Sequence, residues 1–177
     1  MDPLDGTREY LEGRDDWGVN VALAIDGRPV AAALAVPAVE CVLTTAMRWD
    51  VPRREAGPRM LVSRSHTPSF AGAVAARLGA DLQVMGSVAV KAAAVFRGEA
   101  EIYLHGGGMF EWDSAAAVAL AGCCGMHASR LDGRPLRYAR PNPWLPDLLI
   151  CLPELAEDVL RAAAESVAPP AGASEVR

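Results

Sequence analysis

The segment Asp2-Pro3-Leu4-Asp5-Gly6-Thr7 sets two carboxylates three residues apart, beside a proline and a glycine. Pro3 and Gly6 favour a bend, and on a bent backbone both acids can face one point. Hard oxygen donors placed so suit Mg2+, with the Leu4 carbonyl as a further ligand. Gly6 and Thr7 would then offer N–H groups and a hydroxyl to a phosphate oxygen. The same letters also spell a capped surface turn, and alone they leave both roles open. A third acid, Asp113, stands in Glu111-Trp112-Asp113-Ser114-Ala115-Ala116. At a helix start an aspartate is favoured as a cap. Beside a tryptophan, and followed by alanines that permit close packing, it can equally be a fixed third metal ligand.

Cations come from elsewhere in the chain. Lys91, Arg64 and His66 together suit a phosphate that is bound but does not react. Against this, Ser87 and Lys91 are also ordinary polar residues of a helix, and His66 a residue of a helix-entry turn. His105 is a weaker candidate of the same kind. His105-Gly106-Gly107-Gly108 copies the oxyanion loop of some esterases, but no G-x-S-x-G elbow follows, so a serine hydrolase lacks its nucleophile.

These residues need a scaffold, and the 177-residue chain has the material for one. It is 51% hydrophobic and 22% charged, which favours a packed core over disorder. A net charge of -5 and a pI near 5.2 argue against non-specific binding of long nucleic acids, while leaving room for a small phosphorylated ligand. The four cysteines, Cys41, Cys123, Cys124 and Cys151, have no C-x-x-C spacing and read as small buried residues in a reduced compartment. No run of about 18 apolar residues offers a membrane span, and the first residues are acidic, so a cytoplasmic protein is expected.

Alternation in 17–25 places Trp17, Val19, Val21, Leu23 and Ile25 on one face of a half-buried strand. Asp26-Gly27 signals a hairpin to a strand at 30–36, and a third short strand fits 41–45. A loop with two prolines follows over 48–59. Strands are then expected at 60–63, 82–85, 100–104 and 148–151. Helices are expected from a Thr67 cap with Pro68 in the first turn to Gly79, at 88–97, at 113–123 and at 153–166. Hairpins followed by strand–helix alternation mean stacked sheets with helices between and outside them, an α/β sandwich in a single domain at 1–167. The proline-bearing tail 168–177 is expected to be disordered.

D-P-L-D-G-T with a distant W-D-x-A-A resembles the signature pair of the inositol monophosphatase-like superfamily, and the likeness runs from Asp2 to about Arg161. It implies a layered αβαβα-type sandwich. It also implies metal binding by Asp2, the Leu4 carbonyl, Asp5 and Asp113, with Thr7 and Asp5 as the catalytic pair and Thr7 helping to activate the attacking water. Arg8-Glu9-Tyr10 stands where inositol phosphatases tend to have T-N-F. Ser63-Arg64-Ser65-His66 and Gly86-Ser87 with Lys91 (one residue further on than in some relatives) are similar to the CysQ-type 3'(2'),5'-bisphosphate nucleotidases, and Gly106–Gly108 before E-W-D and Pro141-Asn142-Pro143-Trp144-Leu145-Pro146-Asp147 resemble their actinobacterial members. The resemblance implies Gly6, Thr7, His66, Ser87 and Lys91 as substrate-binding residues. The implied activity is Mg2+-dependent hydrolysis of the 3'-phosphate of 3'-phosphoadenosine 5'-phosphate, in sulfate assimilation or nucleotide recycling. An inositol or fructose-bisphosphate phosphatase, or an inactive fragment, is the alternative. The family's glutamate ligand, the aspartate partner of Thr7 and the N-terminal helices would precede Asp2. A truncated form with weak Mg2+ binding, little turnover and an exposed apolar sheet face prone to pairing as a homodimer is therefore expected.

Overall fold

The computed structural model describes residues 1–53 and 56–167; the 168–177 tail lies outside the described residues. The first half is an antiparallel sheet in the order β1 (Asp2–Asp5), β2 (Gly18–Ile25), β3 (Arg28–Val36), β4 (Cys41–Thr44), with a short helix α1 (Thr7–Leu11) between β1 and β2. The second half runs β5 (Arg59–Ser63), α2 (Ala71–Leu78), β6 (Asp81–Met85), α3 (Val88–Phe96), β7 (Ile102–Phe110), α4 (Glu111–Cys123), β8 (His127–Ser129), β9 (Trp144–Cys151) and α5 (Ala156–Val167). Its sheet has the order β6-β5-β7-β9-β8. The first three strands are parallel, and β9 is antiparallel to β7 and β8.

Met60, Leu61 and Val62 are consecutive and all buried, as a parallel strand covered on both faces requires. On one side α2 and α5 cover it with Ala71, Val74, Val159 and Ala163. On the other lie α3 and α4, whose Ala92, Ala93, Phe96, Ala117 and Leu120 fill the space between the two sheets. Alanine on both helices permits that close approach. Among the described residues the layers thus run β, α, β, α, and the fold is the layered α/β sandwich expected. No helix among them is long and apolar enough to cross a membrane.

Several local expectations are revised. The large apolar residues of β2 face outward: Val21, Leu23 and Ile25 are about half exposed. The small set Gly18, Asn20, Ala22 and Ala24 faces the helices instead. The reason is distance, since a Cβ at Gly18 would stand 2.8 Å from that of Ala89 and 2.7 Å from the Ala35 carbonyl. Asp2–Asp5 is an extended strand rather than a turn. Its register against β2 shifts between Asp2 and Asp5, which frees two acids three apart from pointing to opposite faces. Thr67 does not cap α2, which begins only at Ala71, because its hydroxyl donates to the Ser63 carbonyl at 2.6 Å. The glycine run 106–108 lies within β7, paired with β9 across a bulge, and is no loop. β8 has three residues and no alternation long enough to announce it.

Candidate active site

The end of β1, the start of α3 and the start of α4 meet between the two sheets. Gly6 makes the first possible. It turns the chain from strand to helix at φ +91°, and a Cβ there would stand 3.1 Å from both the Ser87 Cβ and the Asp16 carbonyl. Behind it Asp5 is buried, with one carboxylate oxygen accepting from the Ser87 hydroxyl (2.8 Å), the Ala89 N–H (2.5 Å) and the Asn20 amide (3.3 Å). Burial raises its pKa, and the Ala89 N–H, the Ser87 hydroxyl and the Lys91 charge act against the rise.

Asn20 is 1% exposed and also donates to the Asp113 carbonyl at 3.3 Å, so one amide ties β1 to the first turn of α4. Its own oxygen is buried without a hydrogen-bond partner among the described residues. Asp113 does cap its helix, accepting from the Phe110 N–H at 2.7 Å. That uses one oxygen only. The pKa of Asp113 is pushed up to about 7, first by burial and then by the charges of Asp5 and Asp2 and a hydrogen bond shared with Asp2. Capping and convergence therefore coexist in one side chain.

A cavity of about 180 Å3 opens over these groups; Asp5, Glu9 and Asp113 bring acids to its lining, and Lys91, His66 and His105 bring bases. Larger hollows of about 460 and 450 Å3 lie around α5, away from the candidate residues. Asp2, Leu4 and Thr7 are not part of the cavity lining. Thr7 is exposed and donates to the Leu4 carbonyl at 3.0 Å.

The cations are already engaged. Lys91 is buried, and its ammonium donates to the carbonyls of Met85 (3.4 Å), Gly86 (3.0 Å) and Ser87, 5.2 Å from the centre of the Tyr103 ring. Burial brings its pKa down to about 8 despite the nearby Asp5 and Glu9. It holds the loop in which Ser87 adopts φ +48° and caps α3. Arg64 pairs with Asp16 at 2.5 Å and stands 3.6 Å from Glu9. Burial alone would raise Asp16, but Arg64, the Gly86 N–H and Arg14 bring it below the usual carboxylate range. His66 is exposed, and its ring lies 3.0 Å from the Ser65 hydroxyl. His105 is held neutral by burial, with a pKa near 4.

Asn20 and Asp16 were not singled out from the sequence, and Glu9 was named only within Arg8-Glu9-Tyr10. A polar residue on the small-residue face of β2 was the available signal for Asn20.

Among the described residues no group of three or more His, Cys, Asp or Glu side chains is arranged to hold a metal ion. The donor chemistry nevertheless fits a hard cation: burial above all, and then the charges of Asp5 and Asp2, keep Asp113 from ionising readily, and Asp5 keeps an oxygen outside the hydrogen bonds above.

The sequence model of the inositol monophosphatase family matches residues 1–168. A 3'-phosphoadenosine 5'-phosphate phosphatase of Mycobacterium bovis is 42% identical over 179 residues, covering 94% of this chain and 66% of that protein; the chain thus spans about two thirds of the length of the curated relatives it matches. The structure of CysQ from Bacteroides thetaiotaomicron, a bacterial member of the inositol monophosphatase family, superposes with a TM-score of 0.76 at 24% identity, covering 85% of this chain and 68% of that one. An IMPase/NADP phosphatase complexed with Mg2+ and phosphate superposes at 0.74 with 15% identity, over 91% and 64% of the two chains.

Proposed function

The chain belongs to the inositol monophosphatase family, and from that premise we propose that it carries the chemistry of a Mg2+-dependent phosphomonoesterase releasing AMP and phosphate from 3'-phosphoadenosine 5'-phosphate. The observation that carries this is the convergence of Asp5 and Asp113 on one cavity with His66, Ser87 and Lys91, with Asp2 next to Asp113 outside the lining. The nucleotide is preferred over an inositol phosphate because the 42% identical relative is named for that substrate. A cytoplasmic place in sulfate assimilation or nucleotide recycling goes with it.

Asp2, Asp5, Asp113 and the Leu4 carbonyl would hold Mg2+, which when bound supplies a lowered pKa for water and charge stabilisation at the leaving oxygen. The Thr7 hydroxyl donates its hydrogen bond to the Leu4 carbonyl, so its oxygen is left to accept from a water and orient it. Gly6 leaves the backbone bare where a phosphate oxygen must approach. His66 meets the nucleotide at the open side. Ser87 and Lys91 act from behind the wall: Ser87 aims Asp5, and Lys91 fixes the loop while adding buried positive charge beneath the phosphate.

Phosphate release from 3'-phosphoadenosine 5'-phosphate and from inositol monophosphate, measured on the native protein with Mg2+ and again after chelation, tests this. The nucleotide is expected to be turned over with at least about 10-fold higher kcat/KM, a difference of about 1.4 kcal/mol in transition-state stabilisation. Equal turnover, or release that survives chelation, rejects it.

A further inference from the structure

Trp144 packs on Gly108, a residue of the cavity lining, and its surroundings are built to hold it. The indole rests on Gly108, where a Cβ would stand 2.8 Å from the ring nitrogen, and Gly108 lines the cavity. Gly107 beside it is exposed, and a Cβ there would meet only the His66 Cβ, at 4.0 Å. Two successive residues thus leave the backbone bare, with His66 nearest the one and Trp144 against the other. Trp144 is 47% exposed, yet its backbone is fixed on both sides. The Trp144 N–H donates to the Asn142 side-chain oxygen at 3.1 Å, and its carbonyl accepts from Arg140 at 2.5 Å. Arg140 is itself paired with Glu111 at 3.1 Å. Glu111 also accepts from the Ala139 N–H at 2.7 Å and donates its own N–H to the Pro143 carbonyl at 2.9 Å. Pro141 and Pro143 restrict the backbone further.

An exposed tryptophan alone needs no explanation. Ordering a segment costs on the order of 1–2 kcal/mol per residue, and here that order is spread around a ring that buries only half of itself. The arrangement makes sense if a planar group completes the stack.

We propose that Trp144 is the stacking wall for the aromatic base of the nucleotide, the base lying over the Gly107–Gly108 backbone while a phosphate enters the cavity. This deepens the nucleotidase assignment and rests on it. Trp144 reads the face of the base and takes no part in the reaction, so its effect falls on affinity.

Binding of AMP and of base-free ribose 5-phosphate, followed by titration calorimetry with Mg2+ present, separates the possibilities. Trp144→Leu, which keeps apolar bulk on Gly108, is expected to weaken AMP about 10-fold and leave ribose 5-phosphate unchanged; Trp144→Phe should hold AMP within about 3-fold. AMP should quench tryptophan emission in the native chain and less in Trp144→Phe. Equal weakening of both ligands would make Trp144 merely structural and overturn the proposal, as would AMP binding untouched by Trp144→Leu. Native protein that binds AMP no better than ribose 5-phosphate removes the nucleotidase assignment itself, and shows this before any variant is made.

Discussion

The acidic and basic walls of the cavity are built on opposite plans. On the acidic wall stand Asp5 from β1 and Asp113 from α4, with Asp2 beside Asp113; the charges of Asp5 and Asp2 add to the burial that raises Asp113, and Asp5 keeps an oxygen unused. On the basic wall the buried Lys91 is already matched by three carbonyls, and Arg64, half-buried and outside the lining, is paired with Asp16 and Glu9. Like charges kept close imply that something positive is to arrive from outside. Cations paired internally imply that their positions matter more than their availability. One wall is prepared for a ligand, and the other is architecture carrying residual charge.

The largest effect expected from that contrast lies at Lys91. Lys91→Met keeps much of the bulk but strands three carbonyls, and at about 1–3 kcal/mol for each unsatisfied buried group the loss should be about 3 kcal/mol or more, read from the urea midpoint. A loss under about 1 kcal/mol would show the ammonium to be a free ligand-binding group and erase the contrast.

The acidic wall should respond with the opposite sign. Asp113 has a folded pKa near 7 against 3.8 for an ordinary aspartate, so its contribution to stability is full below the lower value and is lost as pH rises through the upper one. Thermal scans without metal should show Tm falling between about pH 4 and 7, and Asp113→Asn should flatten the fall. Mg2+ at about 100 times its Kd should restore about 2.7 kcal/mol above pH 7 in the native chain and much less in the variant. A Tm indifferent to Mg2+ in both would empty the acidic wall of its purpose.

Asn20→Leu should show the smallest change in stability. It removes a donor from Asp5 and also the unpartnered amide oxygen, so the net shift should stay within about 1 kcal/mol. Its stabilisation by Mg2+ should nevertheless shrink, because the tie between Asp5 and the first turn of α4 is gone. Undiminished stabilisation would make Asn20 a packing residue only.

Most of the layering was readable in the sequence because each element announces itself by period. Met60–Val62 is a continuous apolar run, α4 an alanine series and Asp26-Gly27 a hairpin turn. What period does not reveal is which face a neighbour will claim. In β2 the large residues suggested the core, whereas the helices needed the small ones, and Asn20 was overlooked for that reason. The spacing of Ser87 and Lys91 was visible too, but spacing does not tell whether an amine meets a phosphate or three carbonyls. Such a choice depends on the path of the loop before α3, where Ser87 takes a positive φ that no residue pattern specified.

The single oxygen of Asp5 that collects three donors has a kinetic consequence. Its partners Ser87 and Ala89 lie 82 and 84 residues away, and Asn20 reaches on to the Asp113 carbonyl across 93. Contacts of such separation close late, after the chain entropy of long loops has been overcome, and they open together. The Ala89 amide proton should therefore exchange with deuterium only through global unfolding, at the slowest rate in the molecule. A partly folded chain has no half-made site to bind metal wrongly.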